Sequence, residues 1–247
     1  MKTLFVLFKT EVKLSLREFS GVLFGILLPM GIMILLGIIF GNKPAAPGVD
    51  FTAMQQAFAG VIAVGICASG LMGLPLTMSG YRERKILKRF KVTPTHPGMM
   101  LGAQVLTNAL FAILSALMVW LTAKFFFGYT ITGSVPRFLL SYLLVLMAIF
   151  SIGMVITSVS KNTKSANLLC SLIYFPMFFL SGGTIPYEIM PRGLQRVSDI
   201  LPLTQGIKLL KTTSLGLSQE VTLIPIIVLG FTTLAGIIIS LKSFKWE

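Results

Sequence analysis

Charge is scarce in this sequence: Asp, Glu, Lys and Arg make up 12% of its 247 residues, against 55% hydrophobic, and mean hydropathy is +0.88. A water-soluble domain carries about a quarter of its residues charged, so water is excluded as the main solvent. Histidine is scarcer still, with His96 alone, and no Gly-x-x-x-x-Gly-Lys-[Ser/Thr] phosphate cradle occurs. The chain therefore builds neither an ATP-hydrolysing site nor a His-based metal or acid–base centre. Its two cysteines, Cys67 and Cys170, lie in separate apolar runs, which excludes a disulfide framework and a CxxC site and leaves them as packing residues. The centres of the apolar runs hold no Asp, Glu, Lys or Arg. Ion-coupled carriers commonly keep their coupling charge there, and intramembrane hydrolases need carboxylates, His or an activated nucleophile within reach. Both classes are argued against.

What the sequence has instead is long apolar runs, near 20–41, 56–80, 99–125, 137–160, 165–181 and 221–241. About 20 apolar residues span a hydrocarbon core of about 30 Å, so the expectation is an all-α integral membrane fold with six transmembrane helices, one domain over 1–247. The first run starts too late and runs too long for a secretory leader, and is expected to stay as a helix. Pro29 and Pro75 should kink the first two spans. Gly31, Gly37, Gly60, Gly65, Gly70 and Gly73 should permit close helix contact.

Two segments outside the spans are patterned. Over 1–19, Leu4, Phe5, Phe8, Val12, Leu16 and Phe19 recur at three- and four-residue steps, opposite Lys9, Lys13 and Arg17, which predicts an N-terminal amphipathic interfacial helix. A basic flank that only orients the first span would explain the lysines but not the apolar stripe. Over 182–220, Pro186, Pro191 and Pro202 leave apolar stretches at Ile189–Ile200 and Leu203–Leu215, too short to span. Short helices dipping into the outer leaflet or lying across it are expected between the fifth and sixth spans, with an ordinary folded loop as the alternative.

The 21 Lys and Arg against 8 Asp and Glu would suggest nucleic acid in a soluble protein. Here they sort by side. One face collects Lys2, Lys9, Lys13, Arg17, Arg82, Arg84, Lys85, Lys88, Arg89, Lys91, Lys161, Lys164, Lys242 and Lys245; the other has Lys43, Lys124, Arg137, Arg192, Arg196, Lys208 and Lys211, spread over longer segments. The positive-inside rule then puts both termini and the 81–98 loop in the cytoplasm of a cell-membrane protein, with 42–55, 128–136 and 182–220 outward. The net charge is mostly topology, and no nucleic-acid partner is implied.

The longest of the cytoplasmic loops runs from Tyr81 to Pro94. At helical spacing Ile86, Leu87 and Phe90 form a narrow apolar face, Arg82, Arg84, Lys85, Lys88 and Arg89 cover the rest, and Pro94 and Pro97 end the helix. Two readings stand: a basic loop touching acidic lipid, or a rigid lever seated in a groove of a partner. Glu83 is the lone acid there, placed to anchor a basic group on the partner, or to pair with Lys88 or a helix N-terminus.

The loop resembles the ABC-2 family of transporter permeases, in which Arg-Glu-x-Gly-Thr-Leu-x-x-Leu-x-x-Thr-Pro follows the second span. Arg82, Glu83, Leu87, Thr93 and Pro94 match, while Lys85 stands for the Gly, Ile86 for the Thr and Phe90 for the Leu. Leu180-Ser-Gly-Gly-Thr-Ile-Pro186, Met190-Pro191, Leu194-Gln195 and Leu201-Pro-Leu-Thr204 are similar to the family's external region after its fifth span. The resemblance implies the permease subunit of an ATP-binding cassette exporter. It pairs with a second permease, identical or related, and with separate ATPase subunits that bind the ATP and Mg, so that this chain binds no cofactor. It places ATPase coupling on Arg82, Glu83, Arg84, Leu87, Phe90, Thr93 and Pro94. An external gate is expected at Gly182 and Gly183 as flexible joints, with Pro186, Pro191 and Pro202 bounding rigid pieces. The expected cargo is a small amphipathic compound such as a drug, antimicrobial peptide or lipid, suited to Met, Phe and small residues along the path. The alternative is a membrane-embedded sensor or immunity subunit that binds such a compound without moving it.

Overall fold

A computed structural model describes residues 2–41, 43–44, 51–90, 97–183, 187, 190–217 and 223–243. Apolar runs in lipid have to satisfy every backbone polar group internally, and among the described residues they do so as helices, with no strand beyond one antiparallel bridge between Pro44 and Thr52. α1 (Lys2–Arg17) precedes the first span, which joins α2 (Phe19–Val22), a π turn at Leu23–Leu27 and α3 (Leu28–Phe40). The second span joins α4 (Ala53–Cys67), a π turn at Ala68–Gly73 and α5 (Leu74–Glu83). α6 (Ile86–Phe90), α7 (Pro97–Phe127), α8 (Val135–Val159), α9 (Thr163–Leu180), α10 (Arg192–Ile200), α11 (Pro202–Leu215) and α12 (Leu223–Ser243) follow. Six helices among the described residues are long and apolar enough to cross a membrane: Leu23–Phe40, Ala53–Glu83, Gly98–Phe127, Val135–Val159, Thr163–Leu180 and Leu223–Ser243. The chain is an all-α integral membrane protein.

Caps set where two spans begin. Thr52 accepts from the Gln55 amide at 3.2 Å while the Gln55 side chain accepts from the Thr52 N–H at 2.9 Å, and Asn162 and Ser165 make the same reciprocal pair at the start of α9. Each box satisfies two donors the first turn leaves orphaned. The prolines expected to kink the spans stand beside breaks in α geometry. Proline has no N–H to give the carbonyl four residues back, and its ring crowds that carbonyl. Each of Pro29 and Pro75 stands just past a π turn, where the widened helix relieves the conflict.

The second span is the centre of the bundle: every residue from Phe58 to Cys67 is buried. Helices in lipid gain little from apolar contact alone, so close backbone approach carries their association. A Cβ on Gly153 of α8 would lie 2.0 Å from the Gly70 carbonyl oxygen, and one on Gly60 would lie 2.7 Å from Cα of Gly183. Gly37 meets the Phe127 ring, Gly65 meets Ser115 and Gly73 meets Asn108 in the same way, whereas Gly31 has nothing within 4 Å. Five of the six glycines expected at contacts are there.

The far end of the bundle, opposite α1 and α6, is closed by α10 and α11. α11 does not lie across the surface: it is wedged between α4, α8 and α12, with Leu203, Thr204, Gln205, Leu210 and Ser214 buried. α10 keeps Leu194, Val197 and Ile200 exposed.

Candidate functional site

Consecutive residues of a helix point about 100° apart, and at the last turn of α5 that spread is used to reach three neighbours. Tyr81 donates its hydroxyl to the Glu11 carboxylate of α1 at 2.8 Å, and Gln104 of α7 donates its side-chain amide to the same oxygen. Arg82 donates to the Thr157 carbonyl at 3.1 Å and to the Ser160 carbonyl, covering the end of α8, where carbonyls lack helical partners. Glu83 accepts from the Thr163 N–H at 3.1 Å and from the Thr163 hydroxyl at 2.6 Å, placing a negative charge on the N-terminus of α9. Of the partners expected for Glu83, the one realised is a helix N-terminus, and it belongs to a helix 80 residues away. One turn is thus bonded to α1, α8 and α9 together.

Arg84 and Lys85 then break the helix. Lys85 has φ +57°, the one positive φ at a non-glycine position among the described residues. This is the position at which the resembled motif carries glycine. An L side chain in that conformation costs about 1–2 kcal/mol, so the turn favours the residue type that the motif carries. Replacing Lys85 with Gly should raise thermal stability in detergent, by about 1 kcal/mol; a lowered melting temperature would show that the lysine side chain holds the turn.

Beyond the turn, α6 is pinned from inside. Leu87 is 1% exposed, packed with Leu74, Met78 and Met100 and flanked by Leu7, Tyr81 and Val105. Arg84, Lys85 and Lys88 are exposed. Leu87 is thus spent on this chain's own bundle, while Arg84, Lys85 and Lys88 face outward. Thr93, Pro94 and the side chain of Phe90 lie outside the described residues.

Glu11, Gln104, Thr157, Ser160 and Thr163 were not legible as site residues. Glu11 alone left a trace: an acid four residues after Leu7 and three after Phe8 sits on the apolar side of its helix. It is 3% exposed, and burial raises its carboxyl above the ordinary 4.5, opposed by the hydrogen bonds from Tyr81 and Gln104 and assisted by Glu18.

At the far end, Gly182 has φ +87°, a conformation that favours glycine, whereas Gly183 is packed on Gly60. Pro191 precedes α10 and Pro202 is the first residue of α11. The break at Pro202 is bridged: Asp199 accepts from Tyr187 Oη at 2.9 Å and pairs with Lys208 Nζ at 2.6 Å, Lys208 lies over the Tyr187 ring at 4.1 Å, and Gln205 donates to the Asp199 carbonyl at 2.6 Å. α10 and α11 are thus held as one body. Pro186 lies outside the described residues.

A family model described as ABC-2 type transporter matches residues 2–215. The chain is 31% identical over 156 residues to the inner membrane transport permease YhhJ of Escherichia coli (strain K12), a match covering 62% of this chain and 41% of that protein. It is 34% identical over 70 residues to Nodulation protein J of Rhizobium leguminosarum bv. viciae, covering 28% and 27% of the two chains. To the probable doxorubicin resistance ABC transporter permease protein DrrC of Mycobacterium tuberculosis (strain CDC 1551 / Oshkosh) it is 24% identical over 203 residues, 81% of this chain and 72% of that one.

Proposed function

Because the chain belongs to the ABC-2 type transporter family, we propose that it is the permease subunit of an ATP-driven exporter whose nucleotide-hydrolysing subunit is a separate chain. The observation that carries this is the last turn of α5, where Tyr81, Arg82 and Glu83 grip α1, α8 and α9 beside a short helix with outward cations. A push on α6 from an ATPase is delivered through Leu87 and this turn to three elements at once. Under this reading both termini and α6 face the cytoplasm, two permeases enclose the path, and the ATP and Mg sit on the partner. The body formed by α10 and α11 closes the outer mouth and moves as the permeases separate. The cargo is a small amphipathic compound, the type of molecule for which the apolar walls of the bundle offer adaptable contacts. The name of the DrrC relative, a doxorubicin resistance permease, supports that class.

A photo-crosslinking residue in place of exposed Lys88 should trap the ATPase subunit in cells expressing both chains, while one at exposed Lys43, at the other end, should not. Capture from Lys43 and not from Lys88 would overturn both the docking site and the orientation. Capture from Lys88 in a complex whose ATP hydrolysis never drives export would favour the sensor.

A further inference from the structure

α1 has three faces, one more than an amphipathic surface helix needs. Leu4, Leu7 and buried Glu11 face inward, on the side packed against α7. Lys9, Lys13 and Arg17, all exposed, form a second face. The third is apolar and uncovered: Phe5 is 65% and Leu16 58% exposed. Where this third face meets α7, Phe5, Phe8, Val12 and Leu110 line a groove of about 300 Å³, with Lys9 at its rim.

We propose that this groove is a binding site for an anionic phospholipid, with an acyl chain along Phe5, Phe8, Val12 and Leu110 and the phosphate at Lys9 and Lys13. Charge selects the occupant. The one carboxylate within α1 is turned inward and bonded to Tyr81 and Gln104, so the helix offers only cations beside the groove. Those cations lie on the side of the helix adjoining its apolar face, which lets their stems follow an acyl chain while their heads reach the headgroup level. The Glu11 tie also fixes α1 on the bundle before any lipid arrives, so little ordering is left for binding to offset. The site is independent of whether the chain transports anything.

The test uses the full chain in nanodiscs, with Phe8→Trp in a Trp120→Phe, Trp246→Phe background and lipids brominated on the acyl chain. Brominated phosphatidylglycerol should quench the tryptophan introduced at position 8 at a mole fraction about 25-fold lower than brominated phosphatidylcholine, roughly five-fold for each lysine. Lys9→Gln with Lys13→Gln should bring the two lipids level, and Lys9→Arg with Lys13→Arg should keep the preference, which separates loss of charge from loss of fold. Equal quenching by both lipids in the unmodified lysine background overturns the site. So does quenching by neither, the result expected if a second copy of the chain covers the groove.

Discussion

Glu83→Lys should uncouple ATP hydrolysis from export: dye extrusion from proteoliposomes holding the permease and its ATPase should fall by about 10- to 100-fold, the range of a typical coupling energy between two sites. The geometry sets the direction. The wild-type carboxylate takes both the Thr163 N–H and the Thr163 hydroxyl; the lysine accepts neither and brings a positive charge to the positive end of α9. Since α9 keeps its own Asn162–Ser165 cap, the helix should still form and membrane abundance should hold. Glu83→Gln keeps an acceptor oxygen and should retain most of the activity. Arg82→Gln attacks the same turn from its other side, leaving the Thr157 and Ser160 carbonyls without their guanidinium, and should resemble Glu83→Lys. Wild-type extrusion by Glu83→Lys at normal abundance would remove this turn from the coupling route.

A disulfide between Thr132→Cys and Leu215→Cys should stop extrusion under oxidising conditions and release it on reduction. The short 128–134 connection is stitched to the end of α11: the Gly133 N–H donates to the Ser214 carbonyl at 2.9 Å, and the Thr132 hydroxyl to the Leu215 carbonyl at 3.1 Å. There is no slack in the seam, since a Cβ on Gly133 would lie 2.1 Å from the Thr213 carbonyl oxygen. If the far end opens during the cycle, this seam must part. Each single cysteine serves as control, and the yield of the bond is read by mass. Extrusion and ATP hydrolysis unchanged at full yield would mean that α10 and α11 are a static lid.

The spans could be read from sequence because an uncharged apolar run of that length has one stable answer in lipid. The burial of α11 could not. Its Thr204, Gln205, Thr212 and Ser214 suggest a water-facing side, yet Thr212 and Ser214 return their hydroxyls to carbonyls of their own helix and Gln205 reaches the Asp199 carbonyl, which leaves the Thr204 hydroxyl as the one of the four buried without a partner and lets the helix be inserted. At the candidate site, Arg82, Glu83 and Leu87 were legible from a short pattern, but their partners Thr157, Thr163, Met78 and Met100 come from other spans or another turn. Spacing along the chain carries no trace of such pairings. Lys85 shows the reverse case, in which the letter departs from the motif while the backbone adopts a conformation that favours glycine.

The π turn at Ala68–Gly73 also has an azimuthal meaning. A π turn holds about one residue more than α geometry would use over the same stretch. Had the second span kept α geometry throughout, the residues beyond Gly73 would be rotated by about 100° around its axis. Arg82 would then face away from the Ser160 carbonyl and Glu83 away from Thr163. The bearing of the last turn of α5 is set near the middle of the second span, by a phase offset ahead of Pro75, and the residues at the bundle end inherit it.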